Sequence, residues 1–196
     1  MAPIKMARIT MVTPDPLHRS LAAPGLLLTP LAKDHREGLR AACAVDDAIW
    51  EIYPTRWIEA DFDANFDALL GNPTRQPYAV LADGRIVGMT SWIDAQPAHR
   101  KVEIGGTFLT PAVRGIGVNG AMKSLMIGHA FASGYHRIEF RIDIRNARSL
   151  AAVRKLGAEQ EGLLRRERVT WTGHVRDTAI FGLFPENWTG RAVQPA

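Results

Sequence analysis

Residues 102–120 read VEIGGTFLTPAVRGIGVNG and join a strand pattern to a glycine-rich turn. In the first half, apolar residues alternate with Glu103 and Thr107, which predicts a strand with two different faces. After Arg114, closely spaced glycines lead into an apolar period that predicts a helix over residues 118–132. Glycine lets the backbone approach a ligand, and a first helical turn presents unpaired N–H groups and the positive end of its dipole. The stretch therefore predicts an anion site between a strand and a helix, with Arg114 as a side-chain clamp.

The apolar period changes several times on either side of this stretch. Helices are predicted at residues 32–45, 62–70 and 149–156, and a hairpin is predicted around Asp83-Gly84. Further strands are predicted at residues 26–29, 138–144, 164–171 and 175–183. Strands on both sides of a helix indicate one parallel pairing in the second half of the chain. The order predicts an α/β fold with a mixed sheet, preceded by a proline-containing arm.

Composition limits the classes of protein that fit. The length of 196 residues suits one domain, and 46% hydrophobic with 22% charged residues is typical of a soluble globular protein. A single cysteine, Cys43, excludes an internal disulfide framework, and His129 and His136 lack metal-ligand partners at a suitable spacing. No apolar run is long enough to span a membrane, and no apolar signal region opens the chain. We therefore expect a cytoplasmic protein with no metal and no membrane contact.

The net charge of +4, in which arginine dominates, fits an anionic ligand or a nucleic acid, and by itself it also fits an ordinary solvated surface. Gly115, Gly117 and Gly120 satisfy the G-x-G-x-x-G pattern of dinucleotide sites, and Glu139 follows at a suitable distance. That fold needs a fully apolar strand before the turn and several further strand–helix units. The preceding strand contains Glu103 and only 76 residues follow Gly120, so the dinucleotide reading is disfavoured. Nucleic acid is disfavoured as well, because the arginines are scattered and no aromatic-basic RNA motif is present.

The same stretch resembles the acetyl-CoA site of the GNAT N-acetyltransferase superfamily, whose pattern is Q/R-x-x-G-x-G/A. Arg114 and Gly117 match this pattern, whereas Asn119 stands where Gly or Ala is usual. Stretches at residues 146–149, 155–159, 161–165, 175–178 and 187–188 resemble the RimJ/RimL-like branch of the superfamily. The resemblance covers roughly residues 26–188, which leaves residues 1–25 as an N-terminal arm and residues 189–196 as a C-terminal tail. It implies a GNAT-like fold, with a mostly antiparallel, twisted sheet whose middle strands splay apart and with flanking helices.

The resemblance also implies the activity, which is transfer of an acetyl group from acetyl-CoA to a primary amine by direct attack in a ternary complex. A helix N-terminus with an arginine suits the phosphates of acetyl-CoA. The pantetheine arm would lie where the strand ending near Leu109 splays from the strand around Phe140, opened by a bulge at Gly105-Gly106. A backbone N–H near Phe108 or Leu109 would hold the oxyanion. The implied cofactor-binding residues are Thr107, Phe108, Leu109, Arg114, Gly115, Ile116, Gly117, Val118, Asn119 and Asn146.

Two residues are candidates for proton transfer. Glu103 would take a proton from the amine, directly or through a water, unless it is only a surface carboxylate paired with Arg100 or Lys101. Many GNAT enzymes protonate the leaving thiolate with a tyrosine on the helix after Asn146, and this chain has none there. Ser149 is the substitute that we predict, unless it only caps that helix.

The acceptor is a small-molecule or peptide amine that the residues do not identify. Trp50 and Tyr53 lie where the family builds its acceptor wall, although aromatics at this spacing also suit a core. The missing tyrosine and Asn119 leave a second reading open, a catalytically weak CoA-binding or regulatory module. A homodimer is compatible with the sequence.

Overall fold

An eight-stranded sheet organises the computed structural model, which describes residues 17–188 and 190. Its strands are β1 (Leu21–Ala23), β2 (Leu26–Pro30), β3 (Arg75–Ala82), β4 (Arg85–Gln96), β5 (Lys101–Leu109), β6 (Arg137–Asp143), β7 (Glu159–Val169) and β8 (Val175–Leu183). The helices are α1 (Arg36–Cys43), α2 (Ala60–Leu70), α3 (Val118–Ala132) and α4 (Ala147–Lys155). Single 3-10 segments lie at Lys33–His35, Ala48–Ile52, Pro97–His99 and Pro111–Val113.

The strand order is β1-β2-β3-β4-β5-β6-β8-β7, and β5 with β6 is the one parallel pair among the strands of residues 17–188. That pair is short, because only Lys101–Glu103 are in register with Arg137–Glu139. Beyond Glu103 the two strands separate, and a gap opens in the middle of the sheet. The mixed, mostly antiparallel sheet with splayed middle strands is therefore confirmed, as is the hairpin of β3 and β4 around Asp83-Gly84.

The sheet is covered on both faces by apolar cores. On one face α3 packs Met122, Met126 and Ile127 against strand residues that include Val102 and Ile104. On the other face α1 and α2 cover Ala79, Met89 and Phe108 with side chains that include Leu39, Phe62 and Phe66. Full burial of a side chain such as Phe62 contributes roughly 1.5–3 kcal/mol. Both cores include residues of β5, whereas β6 contributes buried residues only to the core under α3.

A bulge in β5 changes which face its residues meet. Met89 pairs with Phe108 and Ser91 pairs with Gly105, so two residues of β5 oppose one residue of β4. Gly106 in the bulge has a φ of +59°, a left-handed conformation that favours glycine. As a result Ile104 joins the core under α3, whereas Phe108 joins the core under α1 and α2. The predicted bulge at Gly105-Gly106 is confirmed.

Residues 17–25 of the predicted N-terminal arm pack on the sheet. β1 pairs with β2 through a turn at Gly25, whose φ is +70°, and Leu17 and Leu21 are buried in the core under α3. The prolines suggested an arm, but burial of these two leucines draws the segment onto the sheet. Residues 1–16, 189 and 191–196, which make up the rest of the predicted arm and most of the predicted tail, lie outside the described residues.

Candidate functional site

The gap between β5 and β6 forms part of a cavity of about 560 Å³. β5 contributes residues 103–107 and Leu109, and β6 contributes residues 140–143. The turn before α3 and the first residues of α4 close one end, and side chains of α2 and of the segment before it line the other. The cavity therefore joins the predicted anion site to the predicted acceptor wall.

The turn before α3 has the geometry of an anion cradle. Gly117 is the N-cap of α3, with a φ of +94°, and Gly115 has a φ of +81°. The first intrahelical bond runs from the Ala121 N–H to the Gly117 carbonyl, so the N–H groups of the first turn have no partner within the helix. Gly115 and Asn119 line the cavity. Ile116 is 52% exposed beside them, and Val118 is partly buried.

Arg114 lies at the cavity, but much of its guanidinium is already bound. Nε donates to the Leu109 carbonyl at 2.8 Å, and Nη1 pairs with the carboxylate of Asp46. The guanidinium also lies 5.7 Å from the centre of the Phe108 ring. Arg114 thus fixes the turn to the end of β5, and its direct contact with phosphate stays a prediction.

Glu103 lies on the face of β5 away from α3, because its neighbours Val102 and Ile104 both enter the core under α3. Its side chain lines the cavity, and burial raises its pKa to about 7, against the lowering effect of Arg141 and Arg75. Across the described residues Glu103 makes no ion pair within 4 Å, and Lys101 pairs with Glu139 instead. The alternative in which Glu103 is a surface carboxylate bound to Arg100 or Lys101 is therefore wrong.

Lys123 is a functional candidate that the sequence analysis missed. It is only 7% exposed, in the second turn of α3, and its Nζ donates to Thr107 Oγ1 at 2.8 Å. The Nζ also lies 5.8 Å from the centre of the Phe140 ring, and burial lowers the pKa of Lys123 to about 7. Its position in the sequence could have indicated that it is buried. Lys123 falls three and four residues before the buried Met126 and Ile127, so it lies on the same face of α3 as they do.

Asn146 and Ser149 both line the cavity at the start of α4. Asn146 is the N-cap, and its Oδ1 accepts the backbone N–H of Ser149 at 3.0 Å. Ser149 is therefore not the cap, and the structural alternative for it is wrong. Its role as a proton donor, and the contact of Asn146 with the cofactor arm, stay predictions.

Trp50 is wrong as an acceptor contact because it is fully buried. Its Nε1 donates to the Cys43 carbonyl at 3.2 Å, and its ring lies 4.6 Å from that of Phe108. The bulge places Phe108 on the face of the sheet that α1 and α2 cover, and Trp50 packs against Phe108 there. Tyr53 does line the cavity, and its hydroxyl donates to the Thr107 carbonyl at 2.6 Å. Burial raises the pKa of Tyr53 to about 12, so it stays a neutral donor that holds the bulge.

No group of three or more metal-ligating side chains occurs among residues 17–188 and 190. Within the same residues, no helix is both long and apolar enough to cross a membrane.

Comparison with known proteins places this geometry in a family. Residues 25–159 match the model of the acetyltransferase (GNAT) domain. A probable acetyltransferase of the GNAT family from Chromobacterium violaceum is 30% identical, with a TM-score of 0.80 over 87% of this chain and 93% of that one. A search of curated proteins found no match.

Two further solved structures share the fold at lower identity. Mycobacterium smegmatis RimJ, in complex with CoA-disulfide, is 21% identical, with a TM-score of 0.71 over 85% of this chain and 86% of that one. RimL, a ribosomal L7/L12 alpha-N-protein acetyltransferase, is 16% identical, with a TM-score of 0.74 over 85% and 94%. Because the family model spans more than half of the residues, this chain belongs to the GNAT acetyltransferase family, in which it has the fold of RimJ and RimL.

Proposed function

We propose that this chain transfers an acetyl group from acetyl-CoA to a primary amine by direct attack in a ternary complex. The separation of β5 from β6 beyond Glu103 carries this proposal, because it exposes backbone groups of β5 inside a cavity. An extended arm with amide groups can pair with such groups as an added strand does. The RimJ structure of the same fold contains CoA-disulfide, which supports a CoA thioester as the donor.

The residues present suit each part of acetyl-CoA. The first turn of α3 offers backbone donors and a positive dipole to the phosphates, and Arg114 stabilises that turn. Thr107 to Leu109 offer backbone to the pantetheine arm, with Asn146 on the opposite side of the gap. A backbone N–H near Phe108 or Leu109 is the proposed donor to the oxyanion.

Protons move on both faces of the sheet in this proposal. Glu103 accepts a proton from the incoming ammonium, which leaves a neutral amine to attack the thioester carbonyl. Lys123 approaches the gap from α3 and bonds to Thr107, beside the proposed position of the thioester, so its ammonium can give a proton to the departing thiolate. The nitrogen loses its second proton as the amide forms, which balances the proton that Lys123 gives to sulfur. Ser149 remains a second candidate for that step.

Isothermal titration calorimetry with acetyl-CoA and with CoA tests the donor. We expect the wild-type chain to bind both and Gly117→Glu to bind neither, because a carboxylate in the cradle repels phosphate. Gly173→Glu is the matched control, since Gly173 has a similar φ of +80° in a turn outside the cavity. Absence of binding to wild type, or normal binding to Gly117→Glu, would contradict the proposed donor site.

Thiol release with a panel of amines tests the transfer. Release with at least one amine supports an acetyltransferase. Binding of acetyl-CoA without release on any amine would favour the CoA-binding or regulatory module instead.

A further inference from the structure

Cations outnumber carboxylates strongly in the wall of the cavity. Its acidic side chains are Glu103 and Asp143, and Asp143 is already bound to Arg145. Its cationic side chains are Arg75, Arg114, Lys123, Arg141, Arg148, Arg168 and Arg176. A cleft lined by one sign of charge concentrates ligands of the opposite sign. The phosphates of the proposed donor use the end near α3, so the cations near Glu103 call for a separate explanation.

The arginines near Glu103 differ in whether their guanidinium groups are already bound. Arg141 donates to Glu167, and Arg176 donates to Thr178 and to a backbone carbonyl. The guanidinium group of Arg75, by contrast, makes no hydrogen bond or ion pair with any residue in 17–188 or 190, and the residue is partly buried. A partly buried guanidinium has lost some of its contact with water and has gained no protein partner in exchange, so an anionic ligand would suit it.

Arg75 starts β3 and reaches the bulge of β5. A Cβ placed on Gly106 would lie 3.0 Å from Arg75 Nη1 and 3.6 Å from Ser91 Oγ. The guanidinium therefore lies against the bulge, on the face of the sheet from which Glu103 also enters the cavity. A side chain at position 106 would displace it, so glycine there leaves room for Arg75 as well as allowing the backbone conformation.

Arg75 and Glu103 face the same space without touching. Glu103 favours the charged form of Arg75, and Arg75 comes second to Arg141 among the cations that favour the charged form of Glu103. No ion pair within 4 Å joins Arg75 and Glu103. Arg168 adds a second cation; its side chain is 42% exposed, and its contact with Glu167 is long, at 3.4 Å. A molecule with an ammonium group and an anionic group a few bonds apart can pair with Glu103 and Arg75 at once.

We propose that the acceptor is a small amine that carries a carboxylate or a phosphate close to the amine, and that Arg75, assisted by Arg168, binds that anion. This inference rests on the proposed function, since it identifies the substrate class of the same site. A polyamine does not fit, because its further ammonium groups would meet Arg75 and Arg168. The spermidine N-acetyltransferase from Vibrio cholerae, solved with CoA and spermine, shares the fold, so the side chains of this cavity and not the fold decide the acceptor.

Matched amine pairs test the proposal by thiol release. One pair is an amino acid and its amide, the second is an aminoalkyl phosphate and the corresponding amino alcohol, and a polyamine is added. We expect the anionic member of at least one pair to have a kcat/KM about 10-fold or more higher, as a charged hydrogen bond predicts. The two pairs distinguish carboxylate from phosphate. The amide has the lower amine pKa, so without an anion site it would react faster than the amino acid.

The variants Arg75→Gln and Arg75→Lys assign the preference to this side chain. Arg75→Gln should reduce kcat/KM for the anionic member about 10- to 100-fold and change the neutral member little, because a charge-assisted hydrogen bond is lost. Arg75→Lys should keep part of the preference. Arg165→Gln is the matched control, an exposed arginine of β7 that does not line the cavity.

Several results would overturn the inference. A preference of wild type for the neutral amines or for the polyamine would overturn it. An equal decrease in kcat/KM for both members of a pair in Arg75→Gln would overturn it as well. If no amine releases thiol, titration of the anionic amines into CoA-saturated protein decides, and absence of binding overturns the inference. Calorimetry with acetyl-CoA separates these failures from failure of the proposed function, since Arg75→Gln should bind acetyl-CoA as wild type does.

Discussion

Glu103 and Lys123 approach the same gap from opposite sides of the sheet. Burial raises the pKa of the carboxyl group and lowers the pKa of the ammonium group, in both cases to about 7. Groups whose pKa lies near the working pH give and accept protons most effectively, because both protonation states are populated. In the proposed function the acceptor side thus has a base and the α3 side an acid, with the thioester between them.

Replacing Glu103 with Gln should change the pH dependence of the reaction. Wild-type kcat should rise through pH 7 as the Glu103 carboxylate forms, and Glu103→Gln should lack this rise. The loss should be about 100-fold at and just above pH 7, where the wild-type carboxylate has formed, and smaller at high pH, where the amine is neutral without help.

Stopped or continuous thiol assays measure the pH dependence of kcat between pH 5.5 and 9.5, roughly two units either side of the pKa of Glu103. Glu37→Gln, an exposed change on α1, is the control. If kcat of Glu103→Gln still rises through pH 7 as in wild type, Glu103 is not the base.

At the scale of elements, the start of α4 combines two functions in Asn146. Its Oδ1 caps the helix by accepting the Ser149 N–H, so its Nδ2 is the atom oriented to donate elsewhere in the cavity. The bulge of β5 likewise combines functions: it reverses the faces of the strand and places Thr107 between Lys123 and Tyr53. Both elements join local stability to the proposed cofactor site.

Two substitutions separate the cap from the cofactor contact. Asn146→Ser keeps a capping oxygen and should leave the free energy of unfolding nearly unchanged, whereas Asn146→Ala should lower it by about 1 kcal/mol. Both variants lose the amide donor, so both should bind acetyl-CoA more weakly, about 5- to 10-fold. Denaturant unfolding and calorimetry give the two quantities. Normal binding by Asn146→Ser would show that Asn146 serves only as a cap.

For the whole molecule, a buried lysine is an unfavourable feature that folding must overcome. Domains of this size are stable by only about 5–15 kcal/mol, so one desolvated ammonium group is a sizeable fraction. The apolar cores on the two faces of the sheet supply the compensating burial. Residues that reduce stability in this way are found where function requires them.

Lys123→Met should therefore raise stability and lower turnover. In the unfolded chain Lys123 regains its ordinary pKa of 10.5, above the value of about 7 in the fold, so protons favour the unfolded state. The stabilisation by Met should be largest at pH 7 and below, and should decrease as the pH rises from about 7 towards 10.5.

Thermal unfolding across this pH range and thiol release at saturating amine test both effects. Lys155→Met, at an exposed lysine of α4, should change neither quantity appreciably. Unchanged turnover in Lys123→Met would leave Ser149 as the candidate proton donor.

The amino-acid sequence by itself determined the features that depend on neighbouring residues. The alternation around Glu103, the glycines before α3 and the Asp83-Gly84 turn are local patterns, and the structure confirms the elements they predicted. The motifs around Arg114 and Asn146 were enough to indicate the family, because a loop that binds phosphate through its backbone is built from consecutive residues.

Only the tertiary structure decided which side chains meet. The bulge places Phe108 on the opposite face from Ile104 and buries Trp50 against it, although the sequence offered Trp50 and Tyr53 alike for the acceptor wall. Lys123 reaches Thr107, and Arg75 reaches Gly106, from segments remote along the chain. Such meetings depend on strand register and on helix packing over the sheet, which are set by the burial of many side chains at once and not by any local pattern.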